Sequence, residues 1–208
     1  MERLRQGTGL REQMALASAE EMPLEAQRFT GEELDHISAV RVEFQNVEFE
    51  KCRFLACDFT KTSFWNVTFR SCDFSNCLFE DSYWKQSAMK DCKGQGANFT
   101  NAIFHQMAIE DTKLDYANFT RTLWDNMKVK QTSFTSASIG EAKIKKAMLS
   151  RNRFEKTDFF KTPLKGVDFS DCELEQIILS ENLSEIRGAK LSPVQAVEIA
   201  KLIGIIVV

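Results

Sequence analysis

The sequence predicts an all-β chain wound as a right-handed, four-sided parallel β-helix, with a short helical cap before it and a helix-strand module after it. Three observations carry this. Counting by fives from Phe44 to Leu179 visits 28 positions, and 27 of them hold Phe, Leu, Ile, Val, Met or Trp; Gly94 is the exception. Two residues before most large residues stands a small or modest one, as at Val47, Cys52, Cys57, Thr62 and Val67, with Met107 and Met127 as bulky exceptions, and all six cysteines fall on this second beat. Segments also recur after twenty residues: Ala97-Asn98-Phe99-Thr100 returns as Ala117-Asn118-Phe119-Thr120, and Asn46, Asn66, Gln86, Gln106 and Asn126 are twenty apart.

A beat of five fits neither the helical period nor simple strand alternation, so it points to a repeat architecture. Within each five the small and large residues are two apart, as on one face of an extended segment. The next small residue comes three later, so a straight strand would turn it outward. The chain must therefore bend in every unit to keep both beats inside. The beat leaves open how many units close a turn; the recurrences at twenty favour four. Rungs would then stack at about 4.8 Å, and the Asn/Gln column is expected to hydrogen-bond up a ladder.

Residues 1–21 are an N-terminal extension, with helix-forming composition from Leu10 to Met22 stopped by Pro23, and the helix is expected to cap the first coil. Residues 22–181 form the solenoid: the beat extends back through Leu34 and Phe29 to Leu24, giving about eight coils and a rod of about 38 Å. Gln27 and Glu32 take small-residue places, so the first coil is imperfect. No insertion breaks the beat, which leaves walls and ends to carry function. Gly94 empties a core slot between Phe74 and Leu114, filled by compensation or expressed as a kink. Residues 182–208 form a distinct module. Ser192-Pro193-Val194-Gln195 reads as a capping box with Pro at the first helical place, a helix should run to about Ile203, Gly204 ends it, and Ile205 to Val208 read as a strand. Such an apolar end needs covering, so the module is expected to cap the last coil and to join two copies through Val197, Leu202, Ile203, Ile205 and Val207.

Composition excludes several classes. A net charge of −3 from 27 basic and 30 acidic residues argues against a general nucleic-acid binder. Arg3 and Arg5 precede no apolar run, and no segment is long enough to span a membrane, so a cytoplasmic protein is expected. Cys52, Cys72 and Cys92 would share one column and Cys57 and Cys77 the next, as buried, reduced thiols acting as compact apolar groups. With no histidine among them, no metal is expected, and no cofactor motif is found. His36 and His105 are the only histidines, neither is placed in a dyad by the repeat, and no enzyme is expected.

Two surface features stand out. Tyr83, Ile103 and Leu123 precede large core residues and lie twenty apart, so they stack on one wall, with Trp65 one coil earlier. A contiguous apolar stripe is a partner-site candidate, and the same wall turns basic at Lys143, Lys145, Lys146 and Lys165. Asp91, Glu110 and Asp111 cluster at one corner and Glu80 with Asp81 form a second acidic pair, and both are candidate contacts.

Units such as Cys72-Asp73-Phe74-Ser75-Asn76 and Ala97-Asn98-Phe99-Thr100-Asn101 resemble the pentapeptide repeat family, whose fold is a four-sided β-helix. Arg28 to Glu32, Asp91 to Phe99, and Ile186 to Leu191 continuing through Gln195 to Leu202-Ile203-Gly204-Ile205 are similar to the Qnr-type quinolone-resistance members. That resemblance implies a homodimer joined at its C-terminal modules that engages DNA gyrase and topoisomerase IV and protects them from quinolones. Many such members carry projecting loops, and this sequence has none. The usual account is DNA imitation, yet duplex DNA over about 38 Å carries about 22 charges, against a net of −3 here. The residues alone leave a second class open, a repeat scaffold for some other protein.

Overall fold

A residue in the left-handed region at every fifth place turns the chain. From Glu21 to Gly166 each of these positions has positive φ, between 47° and 61° for the non-glycine residues. This is the bend that the two beats require. The computed structural model describes residues 9–202 and 204–207. The charged stretch before Gly9, Ile203 and Val208 lie outside the described residues.

Four such bends close one coil, because strand partners stand twenty residues apart: Phe44 pairs with Phe64, Phe64 with Trp84 and Trp84 with Phe104. The first wall is a seven-stranded parallel sheet of Leu24–Glu25, Glu43–Gln45, Ser63–Trp65, Tyr83–Lys85, Ile103–His105, Leu123–Asp125 and Lys143–Lys145. The second wall is another, running from Arg28–Thr30 to Met148–Ser150. The third and fourth walls are mostly single bridges at the same offset, such as Lys93 with Lys113 and Asp58 with Leu78. Their corners close by turns in which Thr62 N–H reaches the Phe59 carbonyl at 3.1 Å and Cys77 N–H the Phe74 carbonyl at 3.2 Å. With positive φ at the third residue, Lys61 or Asn76, these are type II turns. The result is a parallel β-solenoid of about eight turns with a helix at each end.

The axis is filled by the two beats. Phe59, Phe79, Phe99 and Phe119 stack with centroids 5.0, 4.9 and 4.8 Å apart, while rings on adjacent walls meet edge-on, as Phe54 does Phe59 at 82°. Each buried Phe contributes about 1.5–3 kcal/mol, which offsets a left-handed corner costing about 1–2 kcal/mol. Small-beat residues also donate hydrogen bonds. The thiols of Cys52, Cys72 and Cys92 point at the carbonyls of Phe29, Phe49 and Phe69, 23 residues back, at 3.4 to 3.5 Å, and Ser87 and Asn152 do the same for Phe64 and Val129. The cysteines are free and buried, as expected, and burial foremost pushes the Cys172 thiol up to about 11. The two core tryptophans are matched by hydroxyls: Trp84 Nε1 donates to Ser82 at 2.8 Å and Trp124 Nε1 to Thr122 at 3.0 Å.

Two expectations about columns change. The Asn/Gln ladder forms at one step, Asn66 to Asn46 at 2.7 Å. What the whole column shares is φ between 52° and 58°, a conformation that Asn tolerates better than most residues. At Gly94 the slot is not empty. The Phe74 ring fills it, so closely that a Cβ on Gly94 would collide with it.

Helix α1 (Leu10–Glu20) buries Leu10, Met14 and Ala17 over the first coil and ends at Glu21 in the left-handed region. At the other end the beat stops near Glu181 but the winding continues with two extra residues, since Asp168 bridges Lys190, 22 residues on. Glu185 anchors this wider coil. It is 3% exposed, and its carboxylate accepts Lys161 N–H at 2.8 Å, Ser180 N–H at 3.3 Å and the Ser180 hydroxyl at 2.7 Å. Helix α2 (Pro193–Leu202) opens with the expected capping box, Gln195 N–H to Ser192 Oγ at 3.4 Å and Ser192 N–H to Gln195 Oε1 at 2.7 Å. Gln195 Nε2 then donates to the carbonyls of Phe169 and Cys172, closing the open end of the coil. The helix ends with Gly204 N–H on Lys201 and Ile205 N–H on Ala200, a Schellman motif. The strand expected from Ile205 onward is not formed: Ile205, Ile206 and Val207 are exposed and have no ladder partner among the described residues, and a strand needs one.

Two outcomes follow. Gly94→Ala should lower stability by about 1–3 kcal/mol in chemical denaturation, and adding Phe74→Leu should restore part of it; equal stability of Gly94→Ala and the parent would show that the slot is slack. Burial acts most strongly on Glu185 and opposes its charge, but hydrogen bonds from the Ser180 hydroxyl and from backbone N–H groups, its own among them, together outweigh it and hold its carboxyl below the usual range. A folded value below the unfolded one means stability present above the unfolded pKa and lost as pH falls through the folded one. Glu185→Gln should therefore lower the thermal midpoint at pH 7, and the gap from the parent should close as pH drops below about 4.

Candidate protein-interaction wall

The first wall presents two outward columns, because residues on either side of each large core residue point away from the axis. One reads Ser63, Tyr83, Ile103, Leu123, Lys143 in register, and the other Gln45, Trp65, Lys85, His105, Asp125, Lys145. The expected apolar stripe is thus assembled on one surface. Trp65 and Ile103 are exposed at 37% and 40%, and Tyr83 and Leu123 are half-buried. Trp65 and Tyr83 touch diagonally with centroids 5.5 Å apart, and Lys85 Nζ lies 4.6 Å over the Trp65 ring.

The sheet ends where the chemistry changes. Pro163 occupies the place of the next rung and has no N–H to give, so Lys143–Lys145 is the terminal strand of the first wall. Lys143, Lys145 and the corner residue Lys146 are exposed there, and Lys165 is exposed beyond. No ion pair holds any of these four among the described residues.

The acidic candidates fall on different corners. Asp81 turns the chain into the first wall two residues before Tyr83, and Asn101 Nδ2 binds it at 3.0 Å while Asn98 Nδ2 holds Glu80 at 2.6 Å. Asp91 and Asp111 stack at the corner between the second and third walls, away from the stripe. Glu110 beside them lies between Lys130 at 2.8 Å and Lys90 at 3.5 Å, and the Lys130 hydrogen bond foremost lowers its pKa. One flat contact therefore cannot include both the stripe and Asp91, Glu110 and Asp111.

Both histidines do gain carboxylate neighbours, contrary to the sequence reading. His105 Nδ1 is 2.8 Å from Asp125 Oδ2 one coil on, and His36 Nδ1 is 2.5 Å from Asp35. The stacking of strands, invisible in linear spacing, brings His105 and Asp125 together. Neither imidazole is hydrogen-bonded to a hydroxyl or thiol among the described residues, so neither makes a nucleophile relay. No cluster of three or more His, Cys, Asp or Glu side chains among the described residues is arranged to hold a metal, and no described helix is long and apolar enough to cross a membrane. At the C-terminal end Val197 is half-buried, whereas Leu202, Ile205 and Val207 are exposed, with Val194 and Ile206 beside them at 74% and 86%.

Sequence reasoning missed one recurrent local device. Asp58, Asp73, Asn98 and Asn118 each accept the backbone N–H two residues on, at 2.9 to 3.1 Å. The repeated Asn-Phe-Thr of the two matching segments was its signal.

Residues 42–119 and 62–144 match the model described as the pentapeptide repeat region. A comparison with curated protein sequences finds no match. Among solved structures, a trypsin-treated variant of QnrB1, a plasmid-mediated fluoroquinolone resistance protein, aligns at 22% identity with a TM-score of 0.58, over 89% of this chain and all of its own. A second trypsin-treated QnrB1 variant aligns at 20% identity with a TM-score of 0.53, over 89% and 98%. HetL, a pentapeptide repeat protein involved in heterocyst differentiation regulation in the cyanobacterium Nostoc sp. strain PCC 7120, aligns at 14% identity with a TM-score of 0.40, over 88% and 95%. The matched repeats and the four-walled coil they build agree: the chain belongs to the pentapeptide repeat family.

Proposed function

We propose that the protein binds type II topoisomerases, DNA gyrase and topoisomerase IV, through its outer walls and protects them from quinolones, without catalysing a reaction. The observation that carries this is the stripe of Trp65, Tyr83, Ile103 and Leu123, gathered on one wall of a rod whose axis is filled. A contiguous apolar surface flanked by polar residues is what a protein partner covers. The Qnr-like segments at the start, middle and end of the chain, and the likeness in fold to a fluoroquinolone resistance protein, support the choice of partner. Imitation of a whole DNA surface is not part of the proposal, because the net charge is −3 and Glu110 is already neutralised by lysines. The acidic residues Glu80 and Asp81, at the corner where the chain enters this wall, are the local acidic contacts that remain beside the stripe.

The proposal includes a two-fold dimer through the C-terminal module. Leu202, Ile205 and Val207 expose apolar surface that Val197 and the last coil leave uncovered, and a self-complementary partner would remove it from water. Sedimentation equilibrium should give a dimer for the parent and a monomer for Leu202→Glu with Ile205→Glu. A monomeric parent at tens of micromolar would remove the dimer.

The deciding measurement is gyrase supercoiling in the presence of ciprofloxacin. The parent should restore supercoiling in a dose-dependent way, and Tyr83→Ser with Leu123→Ser should lose at least about tenfold in potency, as expected for truncating the centre of an interface, with an unchanged thermal midpoint. Absence of rescue by the parent at any concentration would point to a scaffold for another protein.

A further inference from the structure

We infer that the first wall is a seat for an amphipathic helix of the partner, lying along the solenoid axis, apolar over the stripe and acidic over the lysines at the end of the sheet. The inference rests on the proposed use of this wall and specifies what meets it.

The register provides the argument. Rungs of a parallel sheet repeat at about 4.8 Å, and one turn of an α-helix rises about 5.4 Å. A helix laid parallel to the axis therefore places about one turn over each rung, with residues at i, i+3 or i+4, and i+7 above Tyr83, Ile103 and Leu123, which are direct neighbours in the ladder. Trp65 and Lys85 flank the first of these contacts, with the lysine over the indole. A strand laid the same way presents side chains on one face only about every 6.6 Å, two residues at about 3.3 Å each, and is out of step by the second rung. One rung beyond Leu123 the wall presents Lys143, Lys145 and Lys146, all exposed and none in an ion pair among the described residues.

On the neighbouring second wall stacked charges are answered. Arg70 reaches Glu48 at 3.0 Å on the second wall, and Lys130 and Lys90 share Glu110. No ion pair among the described residues answers the three clustered lysines, and Asp125, one rung before Lys145, is taken by His105. Part of their role is local, since lysines on the last strand of a sheet discourage another strand from adding to it. That role needs charge of either sign, whereas a helix seat needs positive charge. Charge reversal therefore separates the two.

The probe is a fluorescein-labelled helical peptide with Leu at three successive turns and three Glu in the next turn, compared with the same peptide carrying Lys in place of Glu. Binding to the full chain is followed by anisotropy and by Trp65 emission, since Trp84 and Trp124 are buried. The Glu peptide should bind at least about tenfold tighter than the Lys peptide, shift Trp65 emission, and weaken as salt is raised. Lys143→Glu with Lys145→Glu and Lys146→Glu should invert the preference while the thermal midpoint holds. No binding, equal binding of the two peptides, or a preference that survives the reversal would overturn the inference. Run beside the gyrase assay, the two readings fail separately. Peptide preference without gyrase rescue sinks the topoisomerase partner alone, and gyrase rescue unaffected by the reversal sinks the helix seat alone.

Discussion

The structure depends on one backbone constraint, the left-handed residue at every fifth place. Each such corner costs energy for an L-residue, and the chain accepts it about thirty times in succession. It is held there because every corner delivers one large and one small side chain to the axis and aligns four short segments under those of the coil before. Loss of the bend at any unit would turn the following side chains outward. The bend, the ladder and the core are thus one device repeated, and stability is built from neighbour to neighbour along the rod.

The same constraint decides where function can reside. Once Phe, Trp and Leu columns occupy the axis, chemistry is confined to residues on either side of each large one, which face out whatever their identity. The walls are not equivalent. The first and second carry true strands with two regular outward columns, while the third and fourth are tightened by type II turns and Asx hydrogen bonds. A flat, evenly spaced surface exists only on the former pair, and the apolar stripe lies on one of them.

Much of this was legible in the sequence, because the core repeats at a fixed interval and each side chain's direction follows from its place in the five. The twenty-residue coil, the stripe, the capping box at Ser192 and the stop at Gly204 could all be read that way. The left-handed corners also leave a trace in composition: none of the positions from Glu21 to Gly166 on that beat holds a β-branched residue or proline, the types that resist positive φ most. What could not be read depends on side chains choosing partners across coils. Phe74 swings into the space above Gly94, His105 meets Asp125, and Glu110 divides itself between two lysines. The apolar run after Gly204 misled because β-branched composition measures fit to a sheet and offers no sheet to join.

Separation of core from surface also gives a rule for finding sites on such a rod. Outward columns are free of packing demands, so their default is opposite charges paired between neighbouring rungs, as Glu48 with Arg28 and Arg70, or Glu110 with Lys90 and Lys130. Positions where the default fails are informative, since a chain consistent at every level keeps its exceptions where they serve something else. Among them are Asp91 over Asp111 at one corner, Lys93 over Lys113 on the third wall, and, at the end of the first wall, the cluster of Lys143, Lys145 and Lys146. Only the first-wall lysines continue an apolar stripe in register, and an exception joined to a second one on the same wall is harder to explain by folding than either is separately.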